Sequence, residues 1–155
     1  MKKAFLQLHI AVLLAGLTGV LGKLISLNAG VLVWYRLFIT AVSLWLIAVL
    51  RRQDILISRR DLLRISAIGG IAALHWVAFY ASIKYSNVSV GLLCFSAVGF
   101  FTAIIEPLVM RHRHDVVELF LGLLVIVGIF FIFQLDPRYK TGIVIGLISS
   151  LLASV

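Results

Sequence analysis

The sequence has little with which to build a soluble enzyme. Cys94 is the single cysteine in 155 residues, so no internal disulfide can staple the fold. Only 13% of residues are charged, about half the share of a soluble domain, while 63% are hydrophobic. A soluble fold of this length cannot hide so much apolar surface, but a bilayer removes that constraint. The six acidic residues are scattered, and no serine belongs to a nucleophile–base constellation. A Walker loop, a HExxH helix and a GxSxG elbow are all missing. His112-Arg113-His114 offers two histidines in a basic loop with no carboxylate or thiol cluster, a poor metal site. No cofactor is expected.

What is present is a series of long apolar runs, each near the roughly 20 residues a helix needs to cross the hydrocarbon core. Ala4 to Gly22 carries no charge, and Val31 to Leu50 carries only Arg36. Ile65 to Ile83 is uncharged, and Val88 to Met110 contains only Glu106. Val116 to Gln134 follows, with Glu118 near its start. A sixth run begins at Thr141 and is still apolar at Val155. As a helix it would rise only about 22 Å, short of the roughly 30 Å core. The expectation is an all-α polytopic transmembrane helix bundle of five complete spans and a truncated sixth, with a natural chain that continues.

The net charge of +8 comes from basic residues that flank these runs. That placement suits topology and anionic lipid headgroups, not nucleic acid. With the N-terminus inside, nine basic residues face the cytoplasm: Lys2, Lys3, Arg51, Arg52, Arg59, Arg60, Arg64, Arg111 and Arg113. Four face outward: Lys23, Lys84, Arg138 and Lys140. The positive-inside rule therefore puts the N-terminus in the cytoplasm of a cell (inner) membrane protein. The first run is too long for a cleaved leader and four full spans follow it. The Asn87-Val88-Ser89 sequon lies in a loop too tight against the membrane to read as a glycan site.

Small residues recur four apart at Ala11, Ala15 and Gly19, at Gly69 and Ala73, and at Gly99 and Ala103. Such faces let helices approach closely in lipid. Pro107 is expected to kink the fourth span or end it early. Ile10 to Gly16 also lines up with Ile148 to Ser154, five spans later. An odd separation starts the second copy on the opposite side of the membrane, the inverted-repeat logic of secondary transporters.

Ionisable residues inside spans are costly and mark function first. Arg36 lies about six residues into the second span, beside Trp34 and Tyr35, and can grip a carboxylate or phosphate with two prongs. It can equally snorkel to headgroups or pair with backbone carbonyls. Lys23 can join Arg36 in a positive vestibule, although it and Lys84 read first as interface anchors. Glu106 is a coupling or a structural carboxylate, with Arg111 and Arg113 near enough in sequence to pair with it. On the third span His75 and Phe79 share one stripe, with Trp76, Tyr80 and Lys84 on the next. Polar-edged aromatics can line a substrate cavity or simply pack between helices.

Together these segments resemble the EamA domain of the drug/metabolite transporter superfamily. The resemblance rests on Thr18-Gly19-Val20-Leu21-Gly22-Lys23, on Trp34-Tyr35-Arg36-Leu37, and on the third span from Leu74 to Tyr85 leading into Ser89-Val90-Gly91. Ile105-Glu106-Pro107-Leu108 and the stretch from Gly122 to Gly128 complete it. One departure is Thr18-Gly19, where the family often has Trp-Gly. Members usually carry two five-helix repeats. The resemblance therefore implies that 1–134 is the first repeat and 135–155 an outer loop with the start of the second. It also implies secondary transport, often export, of small organic metabolites, with Arg36, Lys23 and Glu106 at family-typical positions. The expected partners are the lipid bilayer, the metabolite, and either a missing C-terminal half or a second copy. Two alternatives stay open: a five-helix subunit of a dimeric transporter, and a membrane assembly protein or intramembrane enzyme.

Overall fold

A computed structural model describes residues 2–52, 57–111, 113–133 and 136–155 of the chain. Gln134, His112 and the side chain of Lys2 lie outside the described set. All described elements are helices: α1 Lys2–Leu24, α2 Ala29–Leu50, α3 Arg59–Tyr85, α4 Val88–Ser96, α5 Val98–Met110, α6 Val116–Phe133 and α7 Pro137–Ala153. Five stretches are long and apolar enough to cross a membrane: Lys3–Leu24, Ala29–Leu50, Arg59–Tyr85, Val88–Met110 and Val116–Phe133. The protein is thus an all-α, multi-pass membrane bundle.

Four helices, α2, α3, α4 and α7, start at a residue whose side chain caps the first turn. Asn28 caps α2 by accepting from the Val31 amide at 2.9 Å. Asn87, the residue of the sequon, caps α4 in the same way. Asp136 caps α7, with Pro137 at the first helical position. Ser58 caps α3, and its hydroxyl also bonds the Asp61 carboxylate at 2.7 Å. This early cap draws Arg59, Arg60 and Arg64 into the first turns of a 27-residue helix, ahead of the apolar run that begins at Ile65.

The span from Val88 to Met110 departs from expectation. The break falls at Ala97, between α4 and α5, not at Pro107. Pro107 sits near the end of α5, where its missing N–H frees only one carbonyl, and the helix runs on to Met110 before Arg111 turns with φ 56°. Ala97 is fully buried, and its amide turns back to the Cys94 carbonyl at 3.0 Å, a tightened last turn.

α3 is the centre of the bundle. It packs most extensively against α7, and also meets α1, α2 and α4. α7 runs antiparallel to α3, with Gly142 beside Ser82 and Ser149 beside His75. The small-residue spacings mark some of the close helix approaches: Gly19 is buried against Leu92 and Val88 of α4, and Ala103 is buried. Gly69 and Gly99 face open space, whereas a Cβ on Gly146 would stand 2.7 Å from Cys94 Cβ and 2.8 Å from Ser82 Oγ. α7 presents Gly142, Gly146, Ser149 and Ser150 as its buried face. The serines bond across the helices: Ser150 Oγ donates to the Cys94 carbonyl at 2.6 Å, and Ser82 Oγ donates to the Gly142 carbonyl at 2.7 Å. In a medium without water such bonds and close contacts hold helices together.

Candidate functional site

Arg36 is placed by α2 toward the α3 aromatics. Its Nη1 donates to Tyr80 Oη at 2.8 Å, and its guanidinium carbon lies 3.9 Å from the centre of the Trp76 ring. Tyr80 stacks on Trp76, with ring centres 6.0 Å apart. The neighbouring helix α1 permits this, because Gly22 leaves room that any Cβ would take from Tyr80. Arg36 therefore turns inward, and snorkelling is not its conformation here. Among the described residues no carboxylate pairs with it. A guanidinium has five N–H donors, so the Tyr80 bond leaves most of them able to grip an anion.

Arg36 and Tyr80 border a cavity of about 420 Å³ between α1, α2 and α3. Thr18, Gly22, Tyr35, Arg36, Ile39 and Tyr80 are among its lining. The wall is mostly apolar with a few convergent polar groups, the usual make-up of a small-molecule site.

A second cavity of about 350 Å³ lies further along α3, toward the α7 C-terminus. Ile68, Ala72, His75, Trp76 and Phe95 line it together with the end of α7. His75 Nδ1 lies 2.9 Å from the Ser149 carbonyl oxygen, which can only accept, so Nδ1 is the donor. Ser149 Oγ in turn donates to the His75 carbonyl at 3.1 Å. His75 is thus tied to α7 while its ring also meets Trp76 and Phe95. Phe79 is buried in the core between them and lines neither cavity.

Lys23 does not line the Arg36 cavity. Its Nζ donates to the carbonyls of Ile83 at 2.9 Å and Ser86 at 3.1 Å, at the C-terminal end of α3. Lys84 answers from the end of α3 with a 2.7 Å bond to the Ile25 carbonyl after α1. Each ammonium neutralises the negative end of the other's helix. This reciprocal clasp marks one end of the bundle, called the Lys23 face below.

Glu106 stands apart from the other site residues. It is exposed and lines a cavity of about 470 Å³ between α5 and α6, shared with Glu118, Ser96 and Thr102. This cavity is larger, but both of its carboxylates are exposed, whereas Arg36 is half-buried. The structure therefore joins Arg36, Trp76 and Tyr80, connects His75 to them through the aromatic cluster, and separates Lys23 and Glu106.

Sequence reasoning passed over Ser149, Ser82 and Gly22. The spacing of Gly142, Gly146, Ser149 and Ser150 along α7 is the signal that could have found the first of these.

The profile of the EamA-like transporter family matches residues 2–134. The chain belongs to the EamA-like transporter family. An uncharacterized transporter of Haemophilus influenzae is 31% identical over 130 residues, which cover 77% of this chain and 42% of the relative. The chain spans less than half the length of that relative. No solved structure matches the chain.

Proposed function

We propose that this EamA-family chain forms the substrate-binding part of a secondary transporter, acting as an exporter of small organic metabolites that carry a carboxylate or phosphate. Lys2, Lys3 and the Arg51–Arg64 segment face the cytoplasm of the cell membrane in this reading. One observation carries it: a guanidinium within an apolar span, turned inward over Trp76 and bonded to Tyr80 at the edge of a cavity. Desolvating a cation in a bilayer is costly, so an inward arginine calls for a charge to receive. Tyr80 and Trp76 orient it without neutralising it.

The test is flux of carboxylates and of their uncharged amides through the full-length protein in proteoliposomes. Carboxylate flux that Arg36→Gln abolishes at normal expression supports the reading. Equal flux of acid and amide, or flux unchanged by Arg36→Gln, contradicts it.

A further inference from the structure

Two cavities occupy successive levels of the same helix, and one side chain lines the second while touching two residues that line the first. The first opens among Thr18, Gly22 and Tyr80, in the half of the bundle near the Lys23 face. The second is lined by Ile68, Ala72 and His75, nearer the start of α3. Trp76 lies between these levels. Its ring carries the Arg36 guanidinium and stacks with Tyr80, and it also forms wall of the second cavity. His75, Phe79 and Phe95 brace it, with ring centres 5.1 Å from His75 and 5.7 Å from Phe79, and with Phe95 set against both of those.

We infer that Trp76 is a septum between the two cavities and that Arg36 is its latch, so that an anionic substrate opens the passage by taking the guanidinium away. This rests on the reading of Arg36 as the substrate site. The latch has two parts, the hydrogen bond to Tyr80 Oη and the cation held on the Trp76 face. A carboxylate that takes Nη1 as one of its two prongs competes with Tyr80 Oη for that donor. It also cancels the charge that the ring quadrupole attracts, which weakens the hold on Trp76. A ligand shifts a conformational equilibrium only through its different affinity for the two states. Here the difference is explicit: the latched guanidinium is partly occupied, and the unlatched one is free for the anion. An uncharged analogue of the same shape has no such preference and leaves the septum shut.

Trp76 is on this account a gating residue and Arg36 a binding residue, so the two separate experimentally. The reporter is a thiol introduced by Ala72→Cys, in a Cys94→Ala background of the full-length protein. Ala72 lines the second cavity. An impermeant thiol reagent is applied in oriented vesicles from the Lys23 face, with benzoate as a planar carboxylate probe and benzamide as its neutral control. The septum predicts slow labelling in the parent, at least tenfold faster labelling in Trp76→Ala, and slow labelling in Trp76→Phe, which keeps a ring. Benzoate accelerates labelling in the parent and in Trp76→Phe, and benzamide does not. From the opposite face the thiol labels in every variant. Equal labelling rates in the parent and Trp76→Ala overturn the septum. So does a rate in the parent and Trp76→Phe that ignores benzoate while radiolabelled benzoate binds, a result that needs no folded Trp76→Ala. Benzoate binding unchanged in Arg36→Gln overturns the substrate-site reading instead. The binding assay thus tells failure of the site from failure of the gate.

Discussion

The α1–α2 side of the bundle and the α3–α4–α7 side are both helical and both apolar, but they are held by different means. α2 buries only Leu32 and Val33, and α1 shows large apolar side chains from Phe5 to Leu24. α7 buries two glycines and two serines, and those serines bond to α3 and α4. In a bilayer a leucine gains nothing by leaving lipid for protein, so apolar character does not select a neighbour. Small residues and hydroxyls do, because they allow close approach and satisfy carbonyls. The α1–α2 side meets α3 through one apolar cluster, Leu32 and Val33 on Phe79, Tyr80 and Ile83, and through the polar contacts of the Lys23–Lys84 clasp at one end and Arg36 on Tyr80 and Trp76 further in. It is also the side that carries Arg36, the proposed binding residue.

This contrast can be broken at chosen places. The largest effect is expected at Gly146, where a side chain meets Cys94 and Ser82 at once. Gly146→Leu should cost about 1–3 kcal/mol or prevent folding. Gly16→Leu on α1, facing open space, should stay within about 0.5 kcal/mol. Thermal unfolding of both variants in detergent checks the pair, and similar losses would remove the basis for separating the two sides.

A smaller effect is expected at Ser149. Ser149→Ala removes the hydroxyl's contacts with the His75 carbonyl and Nδ1 and should cost about 0.6 kcal/mol, with about 1.7 as the upper end for such bonds in membranes. Denaturation in mixed micelles reads this change.

The clasp comes next. Lys23→Met and Lys84→Met each remove a cation from a helix C-terminus and should cost about 0.3–1 kcal/mol. Because each lysine serves the other's helix, their losses should add in the double variant, and transport should slow without a change in substrate preference. A change in preference would put Lys23 back in the binding site.

The smallest effect concerns the start of α7. Arg138 beside Asp136 holds its carboxyl below the usual range. A depressed folded pKa adds stability that is present above the unfolded value and fades as pH falls through the folded one. Hydrogen exchange at the α7 N-terminus should therefore rise only under acid conditions, and Asp136→Asn should remove that dependence.

Much of this was legible in the chain. Five apolar runs gave five spans, because bilayer thickness sets helix length directly. Arg36 and the His75–Tyr80 stripe stood out because charge and polar aromatics are rare in such runs. The tertiary details were not legible. Nothing at Ala97 breaks a helix by itself; the carbonyl of Cys94 just before it is taken up by Ser150, distant in sequence. The extra turns of α3 depend on the Ser58 cap, a single side chain against a run of arginines. Lys23 and Lys84 read alike as anchors, and only the parallel course of α1 and α3 shows that they cap each other's helices.

Carboxylate counterflow in proteoliposomes, comparing the parent with Arg36→Gln and Arg36→Lys, tests the proposed substrate site most directly. A two-pronged site predicts loss of exchange in Arg36→Gln, and at least tenfold weaker exchange in Arg36→Lys, whose ammonium cannot present a planar fork. Exchange that persists at the parental rate in Arg36→Gln would contradict it.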